Sequence, residues 1–414
     1  MRPRGLKEVR GVVLFGFLIL TFFTSENSSA FPDMIRHGYI NCSSCHLSSS
    51  GGDMLTDYGR ALSKELLSRG QWFFERGKKI EAKYNSDRSE TSPEDHSKNL
   101  SEDFSEKFFS DSMDLPEWLR LGGNLRLFQA FQETPTDSSA RFFLMQADLD
   151  ALVVERNLIQ VFASVGRVDP HLKDGQWTDF VISRAHWLKL ALGPAETRDR
   201  SQLRIGRFFP AYGIQVPEHF YVTRKLLGFD QGQERYNIEW NYQETTWTTT
   251  ATLIAAATEQ VQIKPETGLI LQATRAFGST YKLGINGYWN HKKDADLWQN
   301  HSTYGLFGLL GFSPTTYALV ENNWTHTDAN NQWGYIELCK LGWEFTQGLQ
   351  VFSVQEYANL DMQYNNPHID AFTLGLQYLP RTHWDLSGYL REERNTSVFQ
   401  EFQTLVGLML HYYL

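Results

Sequence analysis

Between residues 118 and 414 the chain repeatedly alternates apolar and polar residues over segments of strand length. In one segment Ile238 and Trp240 alternate with Glu239 and Asn241. Successive side chains of a β-strand point to opposite faces, so each such segment has one apolar and one polar face. The pattern predicts about sixteen antiparallel strands, of a length that suits a transmembrane barrel.

The connections between these segments favour a membrane barrel over a soluble sandwich. Short turns alternate with longer loops, which is typical of outer-membrane barrels, whose short turns face the periplasm. Because the number of strands is even, both ends of residues 117–414 lie on the short-turn side. We therefore expect an all-β fold, a transmembrane β-barrel of about sixteen antiparallel strands. The predicted short turns are 155–157, 243–245, 278–280, 313–315, 346–348 and 380–382, and the predicted longer loops are 133–139, 169–178, 210–234, 291–301, 326–331, 361–368 and 392–400.

The longest predicted connection, residues 210–234, joins the fifth and sixth strands. In general porins the loop at this place folds into the lumen and narrows it, so this segment resembles a constriction loop. The alternative is an extracellular loop with solvated charges. Its candidate side chains are Tyr212, Glu218, His219, Tyr221, Arg224, Lys225 and Asp230.

Residues 1–30 have the composition of a signal peptide rather than of a folded segment. Residues 1–10 are basic, residues 11–23 are almost wholly apolar, and residues 28–30 supply small side chains for cleavage. A transmembrane helix needs about 20 apolar residues, so this run is short for a retained anchor, which is the alternative. We expect an exported protein whose mature chain begins at Phe31.

Three cysteines occur, and two of them belong to the segment Cys42-Ser43-Ser44-Cys45-His46. This CxxCH pattern attaches c-type haem. Cys42 and Cys45 bind the porphyrin through thioethers and His46 is the proximal iron ligand, so we expect one covalent haem c. The alternative is a disulfide, which an oxidising compartment permits. Cys339 lies in a predicted strand and is expected to be a spare thiol.

Residues 31–80 are expected to form a small α-helical haem segment, with helical character over residues 55–79. So short a chain cannot build a self-sufficient core around a haem, and it needs a neighbour to cover the haem faces. We expect the barrel to be that neighbour, with the segment on the periplasmic side or in the lumen as a plug. Residues 81–116 are rich in serine and acidic residues and are predicted to be a linker.

The motif does not fix the sixth ligand of the iron. His37, which precedes the first cysteine, is the first candidate for the distal ligand, and Met54 is the alternative. A histidine of the barrel or an open coordination site completes the choices. Methionine would raise the reduction potential relative to histidine.

A CxxCH segment followed by a barrel of this kind resembles the fused monohaem cytochrome–porins of bacterial outer membranes, which include the iron-oxidising cytochrome–porin family. The resemblance is specific near the haem, where an aromatic-Pro start, an arginine, CxxCH and L-T-x-aromatic-G-R recur. It implies a haem segment that plugs the barrel and electron transfer across the outer membrane. The chain departs from the family at residues 48–52, where a proline is usual, and at His37. The matching residues are Phe31, Pro32, Arg36, Cys42, Cys45, His46, Leu55, Thr56, Tyr58, Gly59 and Arg60.

Three functions fit this arrangement. The first is electron transfer between extracellular iron or another small redox species and a periplasmic c-type cytochrome, with Fe(II) or metal oxidoreductase activity as one form of it. The second is a diffusion porin whose haem segment is a plug or redox sensor. The third is a structural outer-membrane protein with a disulfide at Cys42 and Cys45.

The predicted barrel and the net charge indicate the environment and the binding partners of the chain. Outer-membrane lipid of a Gram-negative bacterium is the expected environment of the barrel. The net charge of −9 argues against nucleic acid as a partner. Lumen-facing carboxylates such as Asp148, Asp150 and Glu239 can attract cations, but the pattern assigns no iron site.

Overall fold

The computed structural model describes residues 32–69, 115–156, 158–167, 181–194, 200–216, 218, 220–230, 232–255, 265–294, 297–364 and 367–414. The predicted signal peptide and nearly all of the predicted linker lie outside the described residues, as do residues 70–80 of the predicted haem segment. His219 of the longest connection also lies outside them.

Sixteen strands form one closed antiparallel barrel in which each strand pairs with its neighbours in the chain. The barrel closes where β1 pairs with β16, from Asn124 opposite Tyr413 to Glu133 opposite Thr404. Closure leaves no open sheet edge. The predicted fold class and strand number are confirmed. The strands are β1 (Leu119–Glu133), β2 (Ser138–Glu155), β3 (Ile159–Arg167), β4 (Val181–Ala191), β5 (Ser201–Phe208), β6 (Arg235–Gln243), β7 (Trp247–Ile254), β8 (Glu266–Phe277), β9 (Tyr281–Asp294), β10 (Leu297–Ser313), β11 (Thr316–Thr327), β12 (Gln332–Thr346), β13 (Leu349–Asn359), β14 (Ile369–Tyr378), β15 (Trp384–Asn395) and β16 (Gln403–Tyr413).

The strands carry apolar side chains on the outer face of the barrel and polar side chains on the inner face, which is the reverse of a soluble protein. On β2, Leu149 is 75% exposed, whereas the flanking Asp148 and Asp150 are 8% and 6% exposed. On β16, Leu408 is exposed and its neighbour Met409 is buried. Charged groups inside and large apolar groups outside are expected when the outer surface meets lipid and the lumen is polar. No helix among the described residues is long and apolar enough to cross a membrane.

All six predicted short turns join strands at one end of the barrel. The predicted loop 291–301 is wrong, because β9 continues to Asp294 and β10 begins at Leu297, and these two residues still pair in the ladder. The connection between β7 and β8, residues 255–265, belongs to the opposite end and is absent from the predicted loops. The sequence pattern therefore locates the short turns better than it locates the longer connections at the opposite end of the barrel.

Residues 32–69, called the plug below, fill the mouth of the barrel at the short-turn end. Ser63 Oγ lies 2.8 Å from Tyr413 Oη of β16. The helical character predicted for residues 55–79 is realised as two short helical pieces within the described part. The plug contains 3-10 turns at Pro32–His37 and Cys42–Ser44, helix α1 at Asp57–Leu62 and a π-helical turn at Ser63–Leu67.

Arg36 anchors the plug to the barrel wall through buried charge. Its guanidinium donates to Asp33 Oδ2 at 2.7 Å and to Glu344 Oε2 of β12 at 3.0 Å, and the residue is 2% exposed. Beside it, Ile35 packs into an apolar cluster with Phe307 of β10. Breaking a buried ion pair is costly, because the remaining partner keeps an uncompensated charge.

Replacing Arg36 with methionine is expected to unseat the plug, because Asp33 and Glu344 would keep buried carboxylates without a counter-charge. The expected cost is about 3–5 kcal/mol. The matched control is Arg120→Met, which removes an ion pair with Asp57 whose side chains are 33% and 65% exposed, worth about 0–1 kcal/mol. Proteinase K digestion of the folded barrel should release plug peptides faster in Arg36→Met alone. Equal release from both variants would contradict the anchoring role.

Candidate functional site

The connection between β5 and β6, residues 209–234, folds into the lumen. Tyr212 Oη donates to Asn323 Oδ1 of β11 at 2.8 Å, and Thr223 N donates to Glu356 Oε1 of β13 at 3.0 Å. β11 and β13 lie across the barrel from β5 and β6. The connection therefore crosses the lumen, and the inward alternative of the sequence analysis is the observed one. It is called the constriction loop below.

Charged residues of the constriction loop bind the barrel wall. Lys340 Nζ of β12 donates to Glu218 Oε1 at 2.8 Å. Arg224, in helix α2 (Val222–Leu227), places its Nη1 atom 3.9 Å from Glu321 Oε2 of β11. Pairing of these buried charges offsets part of their desolvation cost, which favours the inward position of the loop. Of the other loop candidates, Tyr221 is buried, Lys225 is exposed and Asp230 is half-buried.

The plug and the constriction loop touch each other inside the lumen. Ile35 of the plug shares an apolar cluster with Ile214 of the loop. A Cβ atom on Gly52 of the plug would lie 3.3 Å from Gln215 Oε1 of the loop. Beside this contact lies a cavity of about 280 Å³, lined by the plug, the loop and the inner faces of β16 and β1–β4.

The CxxCH motif forms one tight turn of the plug at the edge of this cavity. Cys45 N and His46 N both donate to Cys42 O, at 3.2 and 2.9 Å, so a single turn carries both thiols and the imidazole. Cys42 and His46 line the cavity. Cys45 is 1% exposed and lies against helix α1. The two thiols are free in the structure, and no disulfide joins them.

The L-T-x-aromatic-G-R segment holds this turn in place. Thr56 N donates to Cys45 O at 2.9 Å, and Thr56 Oγ1 donates to Ser44 O at 2.8 Å. The same Oγ1 accepts from Gly59 N at 3.0 Å, which caps the start of helix α1. A side chain on Gly59 would collide with the backbone of Cys45. Threonine and glycine are therefore needed here for capping and for close approach.

The remaining residues of the segment connect the turn to its surroundings. Arg60 Nη2 donates to Leu121 O of β1 at 2.7 Å. The hydroxyl of Tyr58 hydrogen-bonds to that of Tyr39, on the chain just before the motif. The segment that carries the family resemblance is therefore a clamp between the CxxCH turn and β1.

Met54 lines the cavity, but its side chain packs against the barrel wall. His46 pairs with Leu55 in a short antiparallel bridge, and Leu47 N donates to Met54 O at 3.1 Å. Neighbouring side chains of such a pair point to opposite faces, so Leu47 and Met54 leave on the side opposite to His46. Both pack into one apolar cluster with Phe162 of β3 and further wall side chains. Met54, 2% exposed, also packs against Gly122 of β1.

His37 lies away from the cavity, on the side of the plug that faces β12. Arg36 Nε donates to His37 Nε2 at 3.2 Å, and the same nitrogen is 3.8 Å from Glu344 Oε2. The structure thus brings Cys42, His46 and Met54 to one cavity and leaves His37 outside it.

A histidine of the barrel, His411 of β16, lines the same cavity as His46. The sequence pattern permits a barrel histidine as the sixth ligand but does not single one out. The alternation on β16 provides the signal, because His411 has the inward parity of Met409 and Tyr413. Its approach to the CxxCH turn depends on barrel closure and is not visible in the local sequence.

The lumen-facing carboxylates have mixed roles. Asp148 and Asp150 line the cavity. Glu239 instead accepts from Arg204 Nη2 at 2.8 Å, and Arg204 Nη1 binds Asp53 Oδ2 of the plug at 3.1 Å. Among the described residues no group of three or more His, Cys, Asp or Glu side chains is arranged to hold a metal ion.

The chain is similar over 72% of its length to solved outer-membrane proteins. A loop-deletion mutant of OmpT from Vibrio cholerae aligns with a TM-score of 0.53 and 13% identity over 99% of its own chain. The outer-membrane channel DcaP of Acinetobacter baumannii aligns with a TM-score of 0.54 and 11% identity over 97% of its own chain. An anion-selective porin from Comamonas acidovorans aligns with a TM-score of 0.54 and 11% identity over 99% of its own chain. The fold is a porin barrel.

Identities this low show a shared fold and assign no residue roles. No protein-family model matches the chain, and no curated protein matches its sequence. The roles of the plug and of the cavity therefore rest on the geometry of this chain.

In folded protein that lacks haem, Cys45 is expected to resist alkylation at about pH 8. Burial, with Cys42 beside it, raises the pKa of the Cys45 thiol to about 12, and only the thiolate is nucleophilic. Mass spectrometry after maleimide labelling, in a Cys339→Ser background, should show Cys42 modified first. Cys45 labelling should rise only at strongly alkaline pH. Equal early labelling of both thiols would contradict the enclosed position of Cys45.

Proposed function

We propose that the chain is an outer-membrane electron-transfer protein that holds one haem c inside a porin-like barrel. One observation carries the proposal: the CxxCH turn of the plug opens onto a lumen cavity beside the constriction loop. In this arrangement the barrel supplies the cover that so short a haem segment lacks.

The residues around the cavity fit this cofactor. Cys42 and Cys45 would bind it through thioethers, and His46 would be the proximal iron ligand. Arg126 and Arg184 line the same cavity, and guanidinium groups suit the carboxylates that a porphyrin carries. When bound, the haem would supply a centre for one-electron oxidation and reduction.

Electron transfer across the membrane requires the haem to lie inside the lumen, because one haem is much shorter than the apolar band of such a barrel. That band is about 25 Å tall. We assign the short-turn mouth to the periplasm, where a c-type cytochrome is the proposed partner. We assign the other mouth to the cell exterior, where iron or a small redox species is the proposed donor or acceptor. Oxidation of Fe(II) or another metal is the form of this function that the family resemblance implies.

A diffusion porin whose plug is a redox sensor is the second candidate, and the porin fold favours it. Against it, the plug and the constriction loop both occupy the lumen, where Gly52 of the plug lies against Gln215 of the loop. This contact favours restricted solute flow.

Proteoliposomes with a trapped redox dye test the electron-transfer function. External Fe(II) or dithionite should change the dye in vesicles that carry the holoprotein, because a haem in the lumen would relay electrons between redox species at the two mouths. Vesicles that carry the Cys42→Ser/Cys45→Ser double variant, folded to the same heat-resistant barrel, should show no change. A haem stain and an absorbance spectrum establish the covalent haem beforehand.

Two results would overturn this proposal. Free passage of small sugars without a dye response would favour the diffusion porin. Absence of covalent haem from protein made in cells with an active haem-attachment system would remove the basis of electron transfer altogether.

A further inference from the structure

Two described side chains that line the cavity offer an imidazole nitrogen or a thioether sulfur to an iron held by His46. They are Met54 of the plug and His411 of β16. His37, the first candidate from the sequence, binds Arg36 and faces Glu344 outside this cavity. Among the described residues, the candidates for a sixth ligand supplied by the protein are therefore these two.

Met54 is the weaker of the two. Its side chain leaves the short antiparallel bridge on the face opposite to that of His46. It packs with Leu47 against Phe162, and it also contacts Gly122. Turning its sulfur toward the iron would open a gap in this cluster, at the cost of its packing energy.

His411 belongs to β16 of the barrel wall and lines the same cavity as His46. Its Nε2 atom lies 3.1 Å from Asn124 Oδ1 of β1, and its Nδ1 atom lies 3.9 Å from Asp385 Oδ2 of β15. A histidine that ligates a metal usually pairs its other ring nitrogen with a carboxylate, which fixes the tautomer and the ring orientation. Asp385 is itself held, since Ser387 Oγ donates to its Oδ1 at 2.7 Å.

The contact with Asn124 is replaced if His411 ligates through Nε2, because an imidazole nitrogen has one lone pair in the plane of the ring. The ligating imidazole would be neutral, as metal ligation requires, with its proton on Nδ1, the nitrogen that faces Asp385.

We propose that His411 is the second axial ligand of the haem iron, so that the iron joins the plug to β16. The inference rests on the proposed haem and deepens it. Ligation by His46 and His411 gives a low-spin haem with two imidazoles and a lower reduction potential than ligation by methionine. It also makes the haem a cross-link between the plug and the barrel, in addition to the ion pairs of Arg36 and Arg204.

Spectroscopy and a redox titration of purified holoprotein test this assignment. Wild type should be low-spin with two imidazoles. His411→Ala should become high-spin and bind carbon monoxide, and added imidazole should restore the low-spin spectrum. His411→Met should raise the midpoint potential, where each tenfold change in the one-electron equilibrium corresponds to about 59 mV.

Matched variants separate ligation from packing. Met54→Leu keeps the apolar cluster and His37→Gln keeps a polar group beside Arg36, and both should retain the wild-type spectrum and potential. Asp385→Asn should shift the potential without loss of the low-spin state, because it alters only the partner of Nδ1. Heat-modified migration in gels verifies that each barrel is folded, and if His411→Ala does not fold, the His411→Met spectrum decides.

The outcomes distinguish this inference from the function on which it rests. Wild-type protein without covalent haem would overturn both. Covalent haem with an unchanged low-spin spectrum and potential in His411→Ala and His411→Met would overturn the role of His411 alone. Loss of the low-spin state in Met54→Leu would assign the ligand to the methionine instead.

Discussion

Closure of the strand ladder is the constraint on which the rest of the structure depends. It turns the polar face of every strand into the wall of one lumen, and a barrel of sixteen strands is too wide for its wall side chains to fill. The space must then hold water or other parts of the chain. Here the plug enters from the short-turn end and the constriction loop crosses from β5 and β6, and Ile35 of the plug and Ile214 of the loop belong to one apolar cluster with wall residues of β10 and β11.

Charge pairing on β12 holds both insertions. Glu344 accepts from Arg36 of the plug, and Lys340 donates to Glu218 of the loop. Most of the wall residues that line the cavity belong to β16 and β1–β4. The plug also contacts this part of the wall, through Ser63 and Arg60. The CxxCH turn opens onto the cavity.

Sequence alone predicts the repetitive part of this design and misses what depends on distant contacts. Alternation with a period of two gives the strands, but it fails at residues 291–301, because strand pairing above the apolar band requires no apolar residues. CxxCH identifies the turn by its local chemistry. The roles of Thr56 and Gly59 as cap and close contact need the folded plug, and the placing of His37 outside and His411 inside the cavity needs the closed barrel.

The plug has no apolar core of its own among the described clusters. Ile35 packs with β10 and β11, Met54 packs with β2–β5, and Met34 packs with Leu379 beyond β14. A segment whose described apolar clusters all include barrel residues gains its order by docking to the barrel. Docking also encloses Cys45, which is 1% exposed. A thiol in this position is accessible only before docking, so attachment of the proposed haem would have to precede closure of the segment in the lumen.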